Sequence, residues 1–340
     1  MSQHSSSGRQ ARQNWTRRGL LAAGALGASA AALAPALQRS RPQSVFIARN
    51  QTYTSDLQRV IEDGFRAVEL PLEHYRGKRV LLKPNMVEPT RKAPHMTTHP
   101  AIIVATAAVF LRHGAIVSVG EAPGHVRDTT MALEESGIRE ALDSEQIPFA
   151  DLNYEDVTWR ASRLRFSGLG GLYMPQSVAA ADLIVSLPKM KTHHWMGVTA
   201  AMKNLYGVAP GSVYGWPKNV LHHNGIAETI CDINSCLPRL ATVVDAIQCM
   251  EGDGPILGTP KQMGLVLVGE NLAAVDATVC RLMRLNPARI PYLSKADGVL
   301  GPIAESRIHQ RGEIWEESAK PFQILDEPHL NSMREGVLIS

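Results

Sequence analysis

Short runs of Val, Ile and Leu alternate with amphipathic stretches along most of this chain, and the pattern reads as strands and helices in turn. Ser44–Arg49 reads as a strand. Ser55–Val68 reads as a helix, with Leu57, Val60, Ile61, Phe65 and Val68 on one face. Lys78–Lys83 is a buried strand ended by Pro84 and Asn85, and a loop rich in Pro, Thr and His follows from Met86 to Pro100. A helix over Ala101–His113, a strand over Ala115–Gly120, a helix over Thr129–Leu142 and a short strand over Ile147–Leu152 come next. Tyr154–Met174 alternates less cleanly and reads as an antiparallel excursion or a hairpin. Ala181–Ser186 is again a buried strand, Ile226–Cys236 a helix, Leu240–Ile247 and Met263–Gly269 strands, and Leu272–Arg284 a helix. The mixed stretch beyond Leu300 carries no functional signal.

Continuous apolar strands alternating with helices argue for a sheet covered on both faces. The expected class is α/β, with largely parallel sheets in two Rossmann-like halves and one inter-lobe crevice. Residues 43–340 are expected to form one α/β domain, with lobes at 43–152 and 153–340.

Polar residues interrupt this pattern where strands end. Lys83 and Asn85, Glu121, Lys189 to His194, Asp245, and Glu251 with Asp253 each stand at or just beyond a strand exit. In a parallel sheet the C-terminal strand ends share one edge, so these side chains are expected to converge on one crevice. The stretch Leu187–Gly211 is the richest, with Lys189, Lys191, His193 and His194 on the loop after a strand and Lys203 and Asn204 in a helix-friendly segment. Cations, imidazoles and amides beside a helix start suit an anionic ligand, a metal, or both. Lys83, Asn85, Lys189, Lys191 and Asn204 are the candidate anion clamp. His193 and Glu121 are candidate acid/base groups, and Lys203 a candidate catalytic amine in an apolar setting. His194, His222, His223, Asp245, Glu251 and Asp253 are candidate metal ligands, although their spacing matches no standard zinc template. Bland alternatives stand beside each: lysines next to proline are ordinary solvated loop ends, one histidine of each pair is structural, Asp245 caps a loop, and Glu251–Pro255 is an acidic turn.

The leader changes the reading of charge. The formal net charge is +3, but Arg9, Arg12, Arg17, Arg18, Arg39 and Arg41 precede Pro42 with no acid among them. Without those six, 29 basic residues face 32 acidic ones, a net charge of −3. No basic stripe interleaves with aromatics, so a nucleic-acid partner is not expected. Residues 1–42 read as a twin-arginine signal peptide and short linker, with Arg17-Arg18-Gly19-Leu20-Leu21, an Ala/Gly-rich run to Ala34, and small residues at Ala34 and Ala36. The apolar run is shorter than the roughly 20 residues a spanning helix needs. The expectation is delivery by the twin-arginine machinery to a periplasmic or extracytoplasmic place, with tethering to the membrane if the leader is retained. At 44% hydrophobic and 20% charged, wholesale disorder is excluded.

Cys231, Cys236, Cys249 and Cys280 form no C-x-x-C, so no iron–sulfur cluster is expected; Cys231 and Cys236 are either a disulfide or free thiols. The chain holds no P-loop, no G-x-G-x-x-G and no G-x-S-x-G.

The pieces Leu81-Leu82-Lys83-Pro84-Asn85, Thr98-His99-Pro100, Gly120-Glu121-Ala122-Pro123-Gly124, Pro188–His193, Met202–Gly207, Val244–Ile247, Met250–Pro255 and Asn271–Asp276 resemble the domain of unknown function 362 family, from about Val80 to Ala277. More distantly, Ala181–Val185, His193, Lys203 ten residues on, Gly207 and Pro210-Gly211 resemble the core of the nickel-pincer lactate racemase family. That second resemblance implies acid/base work for His193, cofactor anchoring through Lys203 and nickel ligation by His222 or His223. Where the racemases place a second acid/base histidine, this chain has Gly120-Glu121-Ala122-Pro123, so Glu121 or His125 would stand in. The resulting expectation is a metal- or cofactor-assisted enzyme, with nickel, zinc or iron as candidate metals, acting on a small carboxylate-type anion by acid/base chemistry. The alternative is a non-catalytic periplasmic metal- or anion-binding protein. A redox partner is disfavoured by the missing cluster cysteines.

Overall fold

The computed structural model describes residues 42–88, 91–125 and 127–336; the leader read from the sequence lies outside them. Among the described residues one ten-stranded sheet dominates. Its strands are β1 (Gln43–Ala48), β2 (Arg79–Pro84), β3 (Ile116–Glu121), β4 (Phe149–Asp151), β7 (Leu183–Leu187), β8 (Lys189–His193), β9 (Gly197–Thr199), β10 (Arg239–Glu251), β11 (Thr259–Gly269) and β12 (Ile308–Gly312). A separate antiparallel hairpin pairs β5 (Val157–Ala161) with β6 (Gly171–Pro175), as the weak alternation of that region suggested.

Along the main path the order is β12-β1-β11-β10-β7-β2-β3-β4. The block β10-β7-β2-β3-β4 is parallel throughout, whereas β11 runs antiparallel to both β1 and β10. The class is therefore α/β with a largely parallel sheet, and the two expected halves share it. β1, from the first half, is inserted between β11 and β12 of the second.

Continuous apolar strands arise because both sheet faces are covered. Leu81 of β2 packs into one core cluster while Val80 and Leu82 pack into the other. Ile184 against Leu183 and Val185 repeats this on β7. Helices cover each face and are capped by their own sequence. Asp56 accepts from the Arg59 amide ahead of Leu57–Ala67, His99 Nδ1 from Ala101 ahead of Pro100–Arg112, and Asn271 from Ala274 ahead of Leu272–Leu282. The single helix expected over Thr129–Leu142 is split at Gly137, whose φ of 73° ends one helix and starts the next.

Two expectations are corrected. Lys189–His193 is a strand, β8, rather than a loop: beyond Pro188 the chain pairs with β10 and with β9. The acidic turn starts later than read, since Met250 and Glu251 belong to β10. Cys231 and Cys236 carry free thiols that approach different carbonyls, those of Tyr292 and Arg160. Among the described residues no helix is long and apolar enough to cross a membrane.

Candidate functional site

A cavity of about 620 Å³ opens where β2 and β3 end. That is within the range of small-molecule sites, roughly 300–1,000 Å³. Lys83 closes β2 and Glu121 closes β3, and parallel pairing of the two strands brings the side chains together as an ion pair, both almost fully buried. Lys83 also donates to the Pro84 carbonyl at 2.7 Å and to Asn204 Oδ1 at 3.2 Å. Burial raises the Glu121 carboxyl to about 7 against the opposing pull of Lys83, and burial lowers Lys83 against the pull of Glu121. Glu121 is therefore poised near neutrality. Gly207 closes over it, and a Cβ there would collide with the Glu121 carboxylate and the Lys83 ammonium.

The segment above the pair is held from below. Asp276 accepts from the amides of Ala201 at 2.6 Å and Met202 at 3.1 Å, fixing the start of the short helix Ala201–Asn204. Asn204 braces its end, donating to the Lys83 carbonyl and to Ser186 Oγ while accepting from Asn85 and Lys83. Lys203 projects from this rigid turn into the cavity wall, half-buried, with its Nζ 5.6 Å from the Tyr206 ring centroid. It forms no hydrogen bond or ion pair among the described residues. Burial first and the nearby Lys83 second lower its amine to about 8.

Lys218 is a further buried cation on the cavity wall. It follows the cis Trp216–Pro217 bond and adopts φ 68°. Its ammonium donates to the carbonyls of Ala122 and Ala209. Burial pulls it down to about 7, opposed by Glu121. Sequence reasoning missed this residue: a lysine after proline in a Trp/Pro/His-rich loop looks like any solvated loop lysine.

The histidines divide into two kinds. His193 Nδ1 accepts from the amides of Trp195 at 3.1 Å and Met196 at 3.3 Å, so the neutral ring carries its proton on Nε2. Burial, and then Lys203, hold its pKa well below the usual histidine value. His222 Nδ1 lies 3.0 Å from the Lys218 carbonyl and must donate to it, which leaves a lone pair on Nε2. Its pKa is also lowered, first by burial. His125, His194 and His223 line the same cavity, with His125 exposed.

Lys83, Asn85, Glu121, His193, His194, Lys203, Asn204, His222, His223 and Asp253 thus meet as expected around one cavity. Lys189 and Asp245 do not join them. They form a fully buried ion pair at 2.6 Å, with Tyr53 bonded to both and the His99 amide to Asp245. Lys191 is also off the lining; its ammonium donates to the Met96 and Pro255 carbonyls and ties two cavity loops together. Their lysines are buried with dedicated acceptors, so they brace the site and do not clamp a ligand. Of the expected metal ligands, His194, His222, His223 and Asp253 line the cavity, whereas Asp245 and Glu251 are committed elsewhere. Asp245 is taken by Lys189, and Glu251 by Lys261 at 2.7 Å and the Gln323 amide. Asp253 lies 3.6 Å from His194. Among the described residues no group of three or more His, Cys, Asp or Glu is placed to hold a metal ion. The donor set does not fit a metal centre built by the protein. His193 adds a reason, since its ligating nitrogen would have to be Nε2, which bears the proton.

Among the described residues, Asn85 Oδ1 and Thr199 Oγ1 are buried on the cavity with no hydrogen bond, and Glu121 Oε2 has only its ion pair with Lys83. Buried orphans of this kind suit a ligand's donors.

Over residues 80–281 the chain matches the family described as Domain of unknown function (DUF362), and it belongs to that family. It is 27% identical over 234 residues to a thylakoid-associated protein of Synechocystis, covering 67% of this chain and 70% of that protein. Among solved structures it is similar to the lactate racemase apoprotein from Thermoanaerobacterium thermosaccharolyticum, at 16% identity and a TM-score of 0.40. That match covers 72% of this chain and 58% of the racemase chain.

Proposed function

We propose that this member of the family is an enzyme that binds a small organic anion in the cavity and acts on it by acid/base chemistry. One observation carries the reading: a buried Lys83–Glu121 pair stands on a cavity whose two other amines, Lys203 and Lys218, have no carboxylate counter-ion among the described residues. Three amines against one buried carboxylate favour an anion. His193 supplies a neutral Nε2–H donor to that anion, and Lys218 adds a second amine, held in place by two carbonyls. Glu121, near 7, takes or returns a proton at neutral pH, and His222 offers its Nε2 lone pair for the same task. His193 itself donates and does not act as base, because two amides occupy its other nitrogen. A non-catalytic anion-binding protein is the second reading; it is favoured by the same cation excess and needs no proton transfer.

The place of action, in this reading, is outside the cytoplasm by the twin-arginine route, supported by the leader. The relative's association with thylakoids supports a position at a membrane.

Titration of the purified protein with a panel of small carboxylates tests the anion site, and proton exchange at the ligand's α-carbon in heavy water tests catalysis. The expected result is binding that weakens at least tenfold in Lys203→Met, with exchange lost in Glu121→Gln while binding persists. Exchange unaffected by Glu121→Gln removes the catalytic role, and equal affinity in Lys203→Met and Lys218→Met removes the anion site.

A further inference from the structure

We propose that Lys203 is a nucleophile that forms an imine with the carbonyl carbon of a 2-oxo acid bound in this cavity. The inference rests on the reading of the cavity as an organic-anion site and specifies the substrate class.

The four amines around the site divide by what they hold. Lys83 is committed to Glu121, the Pro84 carbonyl and Asn204; Lys218 to two carbonyls; Lys191 to two more. Each is tied down by those partners. Lys203 alone of the four lacks a hydrogen-bond or ion-pair partner among the described residues, and it faces the cavity from a turn fixed by Asp276 and Asn204. An amine without acceptors, on a rigid support, in a partly desolvated wall beside a second amine, is the arrangement that lowers a lysine's pKa and leaves its lone pair free to react. With its pKa near 8, roughly a tenth of the amine is free base at pH 7.

The chemistry balances without an oxidant or reductant. The Lys203 Nζ lone pair bonds the carbonyl carbon, and a proton moves to the oxygen to give a carbinolamine. Expulsion of that oxygen with the two amine hydrogens as water leaves the imine. Glu121 and the His222 Nε2 line the same cavity and can carry those protons. A carboxylate beside the carbonyl is held by the ammonium form of Lys218 and the Nε2–H of His193. The ketone, and not the carboxylate, is what an uncharged amine can attack.

The test uses the full protein with pyruvate and phenylpyruvate as probes and cyanoborohydride as trap. Intact mass is expected to rise by the mass of the acid less one oxygen atom, with peptide mapping placing the adduct on Lys203. Lys203→Arg keeps a cation and should lose the adduct entirely. Calorimetry without the trap separates binding from imine formation. Binding of both acids with no adduct, or an adduct on Lys83 or Lys218, overturns the imine and leaves the anion site standing. No binding of either acid overturns the anion site and the imine with it.

Discussion

His193 and His222 face one cavity with opposite ring chemistry: Nδ1 of His193 accepts two backbone N–H bonds, whereas Nδ1 of His222 donates to the Lys218 carbonyl. The backbone has therefore assigned a donor Nε2 to one and an acceptor Nε2 to the other. Such a pair can hold an anion and move a proton without either ring changing its orientation.

Nitrogen NMR of the imidazoles should show His193 protonated on Nε2 and His222 on Nδ1 at pH 7. The His193 pKa in the folded state lies below its unfolded value, so the unfolded chain takes up the proton first as pH falls. The contribution of neutral His193 to stability is thus present above an unfolded pKa of about 6.5 and declines below it. His193→Gln should flatten the fall in denaturation midpoint between pH 7 and pH 5. An unchanged slope would show that other groups set the acid limb.

The Lys83–Glu121 pair should reveal itself through the pH at which it is broken. Lys83→Met leaves a buried carboxylate alone, a change that costs about 3–5 kcal/mol when the charge stays. Glu121 already titrates near 7 in the folded protein, above its unfolded value, so its folded state favours the proton and loses stability as pH rises towards 7. Removing Lys83 pushes that pKa higher still. Denaturation of Lys83→Met should therefore be nearly as costly as wild type at pH 5 and far easier at pH 8. Adding Glu121→Gln should abolish most of the difference between the two pH values, and a double variant that retains it would refute a charge origin.

The twin-arginine expectation concerns residues outside the described structure and stands on Arg17 and Arg18. Replacing both by lysine should leave the protein in the cytoplasm of a host that exports the wild-type chain, read by fractionation. Continued export of the double variant would mean another route.

Sequence alone locates the main sheet because its strands are buried on both faces, and a run such as Val80-Leu81-Leu82 needs no partner to be recognised. It also locates Lys83 and Glu121, since a charge ending such a run stands out. β8 is illegible for the converse reason. Lys189 and Lys191 break the apolar pattern, and only Asp245 and three-dimensionally adjacent carbonyls make their burial tolerable. β12 escapes because its His309, Gln310 and Arg311 lie at the sheet's edge, where little burial marks a strand. Lys218 escapes because its neighbours in sequence say nothing of the two carbonyls it reaches.

Lys203 should be a residue that the fold would be better without. A half-buried amine with no acceptor among the described residues is destabilising to hold as a cation. Its pKa falls from 10.5 to about 8 on folding, so between these values the unfolded chain binds more protons and stability rises with pH. Below pH 8 the penalty is fully present. Lys203→Met keeps much of the volume and removes the charge, so it should raise stability at pH 7 by about 1 kcal/mol and shrink the gain between pH 8 and pH 10. Lys83, Lys191 and Lys218 shift in the same direction, so part of that gain remains. Chemical denaturation at pH 7 and pH 10 reads both quantities. A variant that is more stable yet no longer binds the anion would identify Lys203 as kept for chemistry. A variant less stable at pH 7 would show that its ammonium has a partner in solution, and would weaken the case for a free nucleophile.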